Sequence, residues 1–166
     1  MARSTAFPSP EEARFGDVTE PITLRVVLAA IAGGTLGLAA MLPFVVGIPV
    51  ALGVFQLAPL ADIGTLIAGD GGPLVGAAVF AAGGAFVLPL FFVVTGSFLP
   101  PRNPRYLRGV TMSTLFWVTF LLLFWPGGSA FTNAVFVVAT LLGHWVYGLV
   151  LGVTTHYLTG IPEHDV

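Results

Sequence analysis

Charge constrains this chain more than any other feature. No Asp, Glu, Lys or Arg occurs between Arg25 and Asp62, between Asp70 and Arg102, or between Arg108 and Glu163. A soluble domain carries roughly 25% charged residues, whereas this chain has 8% against 56% hydrophobic. Such a surface cannot face water on all sides. About 20 apolar residues cross the roughly 30 Å of a bilayer core, and segments 24–46, 73–97 and 106–125 each meet that requirement. A fourth segment, 132–158, opens at a capping residue, Thr132, and stops at Gly160 with Pro162 beyond, the usual punctuation of a helix. The expected fold is all-α: an integral membrane four-helix bundle built from two hairpins. The polar segment 1–20 reads as a tail, 21–160 as the transmembrane domain and 161–166 as a short C-terminal tail.

Segment 48–69, IPVALGVFQLAPLADIGTLIAG, is apolar enough to span but holds Pro49, Gln56, Pro59 and Asp62, which make a lipid-exposed crossing costly. The arginines decide its placement. With four spans, Arg3, Arg14 and Arg25 share a side with Arg102, Arg105 and Arg108, and the opposite loops hold no basic residue. That is the positive-inside pattern, with both termini cytoplasmic in a cell membrane. A fifth span would separate the two groups, so 48–69 is expected as an outer-face interfacial or re-entrant helix pair. The first 20 residues lack the apolar core and cleavage site of a removable signal, so the first span is expected as a retained anchor. Ser9-Pro10-Glu11-Glu12 has the form of a capping box opening a short surface helix. The chain has no Cys, which excludes disulfides and thiol chemistry. It also has no Lys, a bias that, with its Ala/Val/Gly richness, hints at a GC-rich source such as a halophile or actinobacterium.

A weak parallel repeat is visible. Arg25 precedes Pro43 by 18 residues and Arg108 precedes Pro126 by 18, while LVGAAVF at 74–80 resembles LLGHWVY at 141–147. Parallel repeats occur in transporters and in bundles assembled from a copied hairpin.

The intramembrane residues that invite a role are few. Gly33-x-x-x-Gly37 and Gly148-x-x-x-Gly152 are small-residue faces that allow close helix approach. His144 lies 12 residues past Thr132, near mid-bilayer, with Tyr147 and Gly148 on the same helix face. A neutral histidine bonded to a Ser/Thr hydroxyl or a carbonyl, fixing helix packing, is the leading reading. Its candidate hydroxyl partners are Thr111, Ser113, Thr114 and Thr119 on the third span and Thr35 on the first. A quinone or lipid headgroup contact, haem or metal ligation and proton transfer are the alternatives. Haem between two histidines of one chain is not expected. His156 lies 12 residues on, about 18 Å along the axis, and His164 falls outside the spans. The loop FLPPRNPRYLR at 98–108 is stiff, and its Arg102, Arg105 and Arg108 serve as topology determinants or as a site for anionic headgroups or a partner's carboxylates. Asn103-Pro104 is the expected start of the third span. Tyr106, Trp125 and Tyr157 fall where interfacial anchors belong, and Trp117 and Trp145 lie deeper, where they are expected to pack.

No carboxylate falls within the four spans, and no nucleophile–base constellation, HExxH, P-loop or dinucleotide fingerprint occurs. No enzyme activity, metal or cofactor is therefore expected, and nothing suggests a nucleic-acid partner. The pattern Leu141, Gly143, His144, Tyr147, Gly148, Gly152 resembles the last helix of a haloarchaeal-type family of small four-span prokaryotic membrane proteins of unknown function. Arg108-Gly109, Trp117 and Pro126-Gly127 are similar to that family as well, so that the resemblance covers roughly residues 24–158. Its second span often carries a histidine before a glycine and an aromatic residue; GAAVFAAGG at 76–84 has none. The resemblance implies the four-span fold and leaves the function open. The expected role is an accessory or structural subunit of a larger membrane complex, a respiratory oxidase being the first guess, with the bilayer and a membrane protein or a second copy as partners. The alternatives are a small oligomeric transporter or channel subunit, and a haem- or quinone-binding protein using His144.

Overall fold

A computed structural model describes residues 22–69 and 71–161 of the chain. The 1–20 tail, the capping box at Ser9, and Arg3, Arg14, Asp70, Glu163 and His164 lie outside these residues. Four helices are long and apolar enough to cross a membrane: α1 (Leu24–Ala51), α3 (Gly72–Phe98), α4 (Arg105–Leu123) and α5 (Ala130–Thr159), with a shorter apolar helix, α2 (Ala58–Ala68), between the first two. Among the described residues there is no strand. The expected all-α bundle is therefore the observed one.

α1 extends five residues beyond the expected end at residue 46. Pro49 is the reason for the difference. A proline inside an α-helix removes a hydrogen bond and clashes with the carbonyl four residues back. Here the backbone widens to a π-helical turn at Pro43–Gly47, and Ile48 N–H bonds to Pro43 O, five residues back. The extra residue lets the helix run through Pro49 to Ala51. α3 uses the same device at Gly83–Val87, ahead of Pro89, with Leu88 N–H bonding to Gly83 O. Each widening leaves one carbonyl, Phe44 O and Gly84 O, without a helical donor, because the residue five on is a proline.

The helix pair expected at 48–69 is corrected: residues 48–51 complete α1, and α2 is a single helix. It runs antiparallel along the first half of α3, with Leu60 O against Gly76 and Gly64 against Gly72 O. Backbones meet at both points because neither glycine carries a Cβ. α2 is thus docked along a span, with Asp62 exposed, rather than lying flat across it. The chain reverses into α3 at Gly69, whose φ is 74°, a conformation glycine adopts freely.

The four long helices alternate in direction. α5 is the hub. It packs antiparallel along α1, where Gly33 meets Leu151 and Thr154, Gly37 meets Tyr147 and Gly143 meets Val45. On another face it packs antiparallel along α4, where Gly148 and Gly152 meet Gly109 and the backbone of Tyr106. Both GxxxG faces therefore pack within the chain. The N-cap of α5 is Ser129, three residues before the expected Thr132, and its hydroxyl accepts from Thr132 N–H at 3.1 Å. The C-cap is Gly160, φ 76°, as expected.

The described arginines gather at one end: Arg25 Nη2 donates to Leu158 O at 3.3 Å, and Tyr106, beside Arg105, packs its ring on His156 at 6.0 Å. Arg108 is turned inward, 3% exposed, with Nε donating to Pro101 O at 3.1 Å. It staples the 98–108 loop to the bundle, which corrects its reading as a headgroup ligand; Arg102 is exposed and Arg105 half-buried. The proposed repeat does not survive in register. Pro43 sits inside a continuing helix whereas Pro126 follows the end of α4, and LVGAAVF opens α3 while LLGHWVY lies mid-way along α5. Apolar helices share short strings by composition alone.

Candidate functional site

One pair of neighbouring spans does not close. α1–α5 and α4–α5 are packed along their length, but the backbones of α3 and α4 come together mainly at the Gly96–Phe98 end of α3. Phenylalanine rings bridge the gap: Phe91 meets Phe116 edge-on at 5.3 Å, and Phe80 meets Phe120 and Phe124, each at 5.8 Å. Rings hold two helices at arm's length where glycines would let them touch.

The space left is a cleft of about 400 Å³ between α3 and α4, roofed by Ile63, Leu66 and Ile67 of α2. Its edge is formed by exposed apolar side chains of the helices, Leu66, Val87 and Leu123, the surface where lipid chains would lie. His144 and Tyr147 of α5 reach its floor. A second cavity of about 420 Å³ lies on the far side of Phe80, Phe120 and Phe124, toward the loop that carries Gln56. Both volumes fall in the range of small-molecule sites, about 300–1,000 Å³.

His144 is 5% exposed. Its Nδ1 lies 2.7 Å from Thr140 O, one turn back on its own helix. The expected partner type, a carbonyl, is present, but the bond does not join helices. The candidate hydroxyls are engaged elsewhere: Thr35 on Ile31 O, Thr111 on Pro100 O, Ser113 and Thr114 on Val110 O. Thr119 lines the cleft without touching the ring by a hydrogen bond. His144 Nε2 makes no hydrogen bond among the described residues, and it is not enclosed by packing. The ring of Phe120, 5.0 Å away, leans on it from one side.

Tyr147 is 1% exposed, and its hydroxyl donates to Gly84 O at 2.7 Å. That carbonyl is the one freed by the π-turn before Pro89. The bond joins α5 to α3 at the floor of the cleft. Sequence reasoning placed Tyr147 correctly beside His144 but missed this partner; the signal was Gly84 lying five residues before a proline. It also missed the polar ties between α4 and α5, Trp117 Nε1 to Thr140 Oγ1 at 3.0 Å and Trp145 Nε1 to Thr114 Oγ1 at 3.1 Å. Trp117 is half-buried and Trp145 is 43% exposed, which corrects the expectation that both pack, and the two supply the interhelical hydrogen bonds expected of His144. Among the described residues no group of three or more His, Asp or Glu side chains is placed to hold a metal ion.

Four long apolar helices around a histidine-floored cleft define a small multi-pass membrane protein. Its sequence carries the comparison further. The chain belongs to DUF6789, a family of unknown function, whose sequence profile matches residues 24–166. No curated protein and no solved structure matches the chain.

Proposed function

We propose that the protein binds a lipid-soluble small molecule in the cleft between α3 and α4, without a catalytic step of its own. In this reading it sits in the cell membrane with the arginine end cytoplasmic, as the positive-inside rule directs. One observation carries the reading. A polar atom out of reach of water is normally paired, yet His144 Nε2 stands unpaired at the floor of a space that opens toward lipid. An isolated lone pair there is costly unless something fills the space. A packing histidine would have turned its second nitrogen to a neighbouring helix, and hydroxyls were within the same bundle to receive it. No contact surface among the described residues favours the accessory-subunit expectation over this reading.

Gly83 supplies the test. It lines the cleft, and a Cβ there would meet nothing within 4 Å. Gly83→Leu therefore fills the cleft without disturbing a helix contact. Wild-type protein extracted gently from native membranes should carry an apolar adduct at fixed stoichiometry by native mass spectrometry, and the Gly83→Leu protein should lose it. No fixed-stoichiometry adduct, or the same adduct in both proteins, would refute the cleft as a binding site.

A further inference from the structure

We propose that the cleft selects a hydrogen-bond donor: its occupant is an apolar molecule that ends in a free hydroxyl, such as an isoprenoid or aliphatic alcohol or a reduced quinone. The inference rests on the reading that the cleft holds a ligand and adds the chemistry of the ligand's head.

A carbonyl oxygen only accepts, so the 2.7 Å contact with Thr140 O places the proton of His144 on Nδ1. Among the described residues no carboxylate lines the cleft to offset the cost of a charged ring in lipid. A neutral imidazole with Nδ1–H has an acceptor lone pair on Nε2 and no hydrogen. Tyr147 reaches the same floor with its one hydroxyl hydrogen already given to Gly84 O, which leaves only oxygen lone pairs. Both deep polar groups therefore present acceptors. Gly84 O cannot release the tyrosine, because Leu88 N–H is held by Gly83 O and Pro89 has no N–H. Among the described residues the one other polar side chain lining the cleft is Thr119, exposed at the rim; its hydroxyl rotates to suit and does not discriminate.

A ketone, ester or ether brings more lone pairs to a floor that already offers two. It leaves Nε2 unpaired and faces it with like polarity. A hydroxyl donates to Nε2 and pairs it. Sites built around a hydrogen bond reject the analogue that lacks the hydrogen more strongly than sites that measure shape alone.

Four probes, in two matched pairs, test this with the full chain in lipid nanodiscs: farnesol against farnesyl methyl ether, and decylubiquinol against decylubiquinone under reducing and oxidising conditions. The expected result is saturable binding in which the hydroxyl member is at least tenfold tighter than its partner. The pair that binds identifies the source, isoprenoid alcohol or quinol. His144→Leu should erase the preference and His144→Gln, whose side-chain oxygen accepts, should keep part of it. Because the leucine variant can fail to fold, the wild-type protein gives an independent readout: the ¹⁵N resonances of His144 should show Nδ1 protonated, with Nε2 moving on addition of the alcohol and not of the ether. Equal affinities within a pair, both lost in Gly83→Leu, would overturn donor selection and leave the cleft reading intact. A proton on Nε2 in the free protein would overturn donor selection directly. Binding of none of the probes, or binding unchanged by Gly83→Leu, would overturn both.

Discussion

The seam between α4 and α5 and the gap between α3 and α4 are made by the same helix in opposite ways. On its α5 side, α4 offers Gly109, and a Cβ on Gly148 would lie 2.7 Å from the carbonyl carbon of Gly109. On its α3 side it offers Phe116, Phe120 and Phe124, which meet Phe80 and Phe91 at 5.3–5.8 Å between ring centroids. Lipid gives no hydrophobic reward for helix association, so close packing and polar ties decide which helices touch. Glycine permits touching and phenylalanine holds backbones apart. The lesson is that an apolar interface in a membrane can be built to stay open, and that its openness is set by side-chain size rather than by polarity.

The seam should fail hardest when its glycines are filled. Gly148→Ala places a methyl group against Ser113 Oγ and the Gly109 backbone, and the backbone cannot rotate away as a side chain would. α4 and α5 must separate, with a cost of about 3 kcal/mol, at the upper end for overpacking. Reversible unfolding by SDS titration in mixed micelles, followed by circular dichroism, measures it; an unchanged midpoint would mean the helices are not in backbone contact. The next largest effect concerns the tie between the two regions. Tyr147→Phe leaves Gly84 O buried with neither a helical nor a side-chain donor, which should cost about 1–2 kcal/mol. It should also increase bilayer access to the cleft floor, read as faster labelling of a cysteine placed at Leu88.

Much of this architecture is legible in the residues. The charge-free stretches set four spans whose ends fall within two residues of those observed, except at the end of α1. That exception is instructive. Pro49 reads as a breaker because a regular α-helix cannot hold it, and the π-turn that admits it has no signature beyond the proline itself. The grouping of Arg25 with the 102–108 loop is likewise readable, since it follows from an even number of crossings. The site was half legible. His144 stands out because an imidazole in lipid is expensive, and Tyr147 because it shares a face with it. The partners were not legible: Thr140 O is a backbone atom offered by every helix, and Gly84 O becomes available only through Pro89. The cleft was invisible for a deeper reason. Phe80, Phe116 and Phe120 fit an apolar helix equally well whether they fill a core or prop two helices apart.

Trp117→Phe probes the seam more gently. It removes the bond from Nε1 to Thr140 Oγ1 but keeps an aromatic ring in place, and Thr140 retains its bond to Phe136 O. Interhelical hydrogen bonds of this kind average about 0.6 kcal/mol in membranes, so the SDS midpoint should fall slightly and the cleft should be unaffected. A loss as large as that of Gly148→Ala would move the stability of the seam from its glycines to its tryptophans.

The smallest effect should come from the same substitution that does the most damage in the seam. Gly83→Ala adds one methyl group to a membrane helix, as Gly148→Ala does. Gly83 has ordinary helical dihedrals, φ −56° and ψ −51°, so alanine meets no backbone strain. Its new Cβ would find no atom within 4 Å, and Gly83 itself lines the cleft. The change in stability should stay within about 0.5 kcal/mol, and any net gain would come from the better helix propensity of alanine. The two variants differ in surroundings and in nothing else about the side chain introduced. If both destabilise alike, α3 closes on α4 in the bilayer and the cleft is lost. If only Gly148→Ala does so, the phenylalanines hold the gap open in lipid, and the space beside His144 is a standing feature of the folded chain.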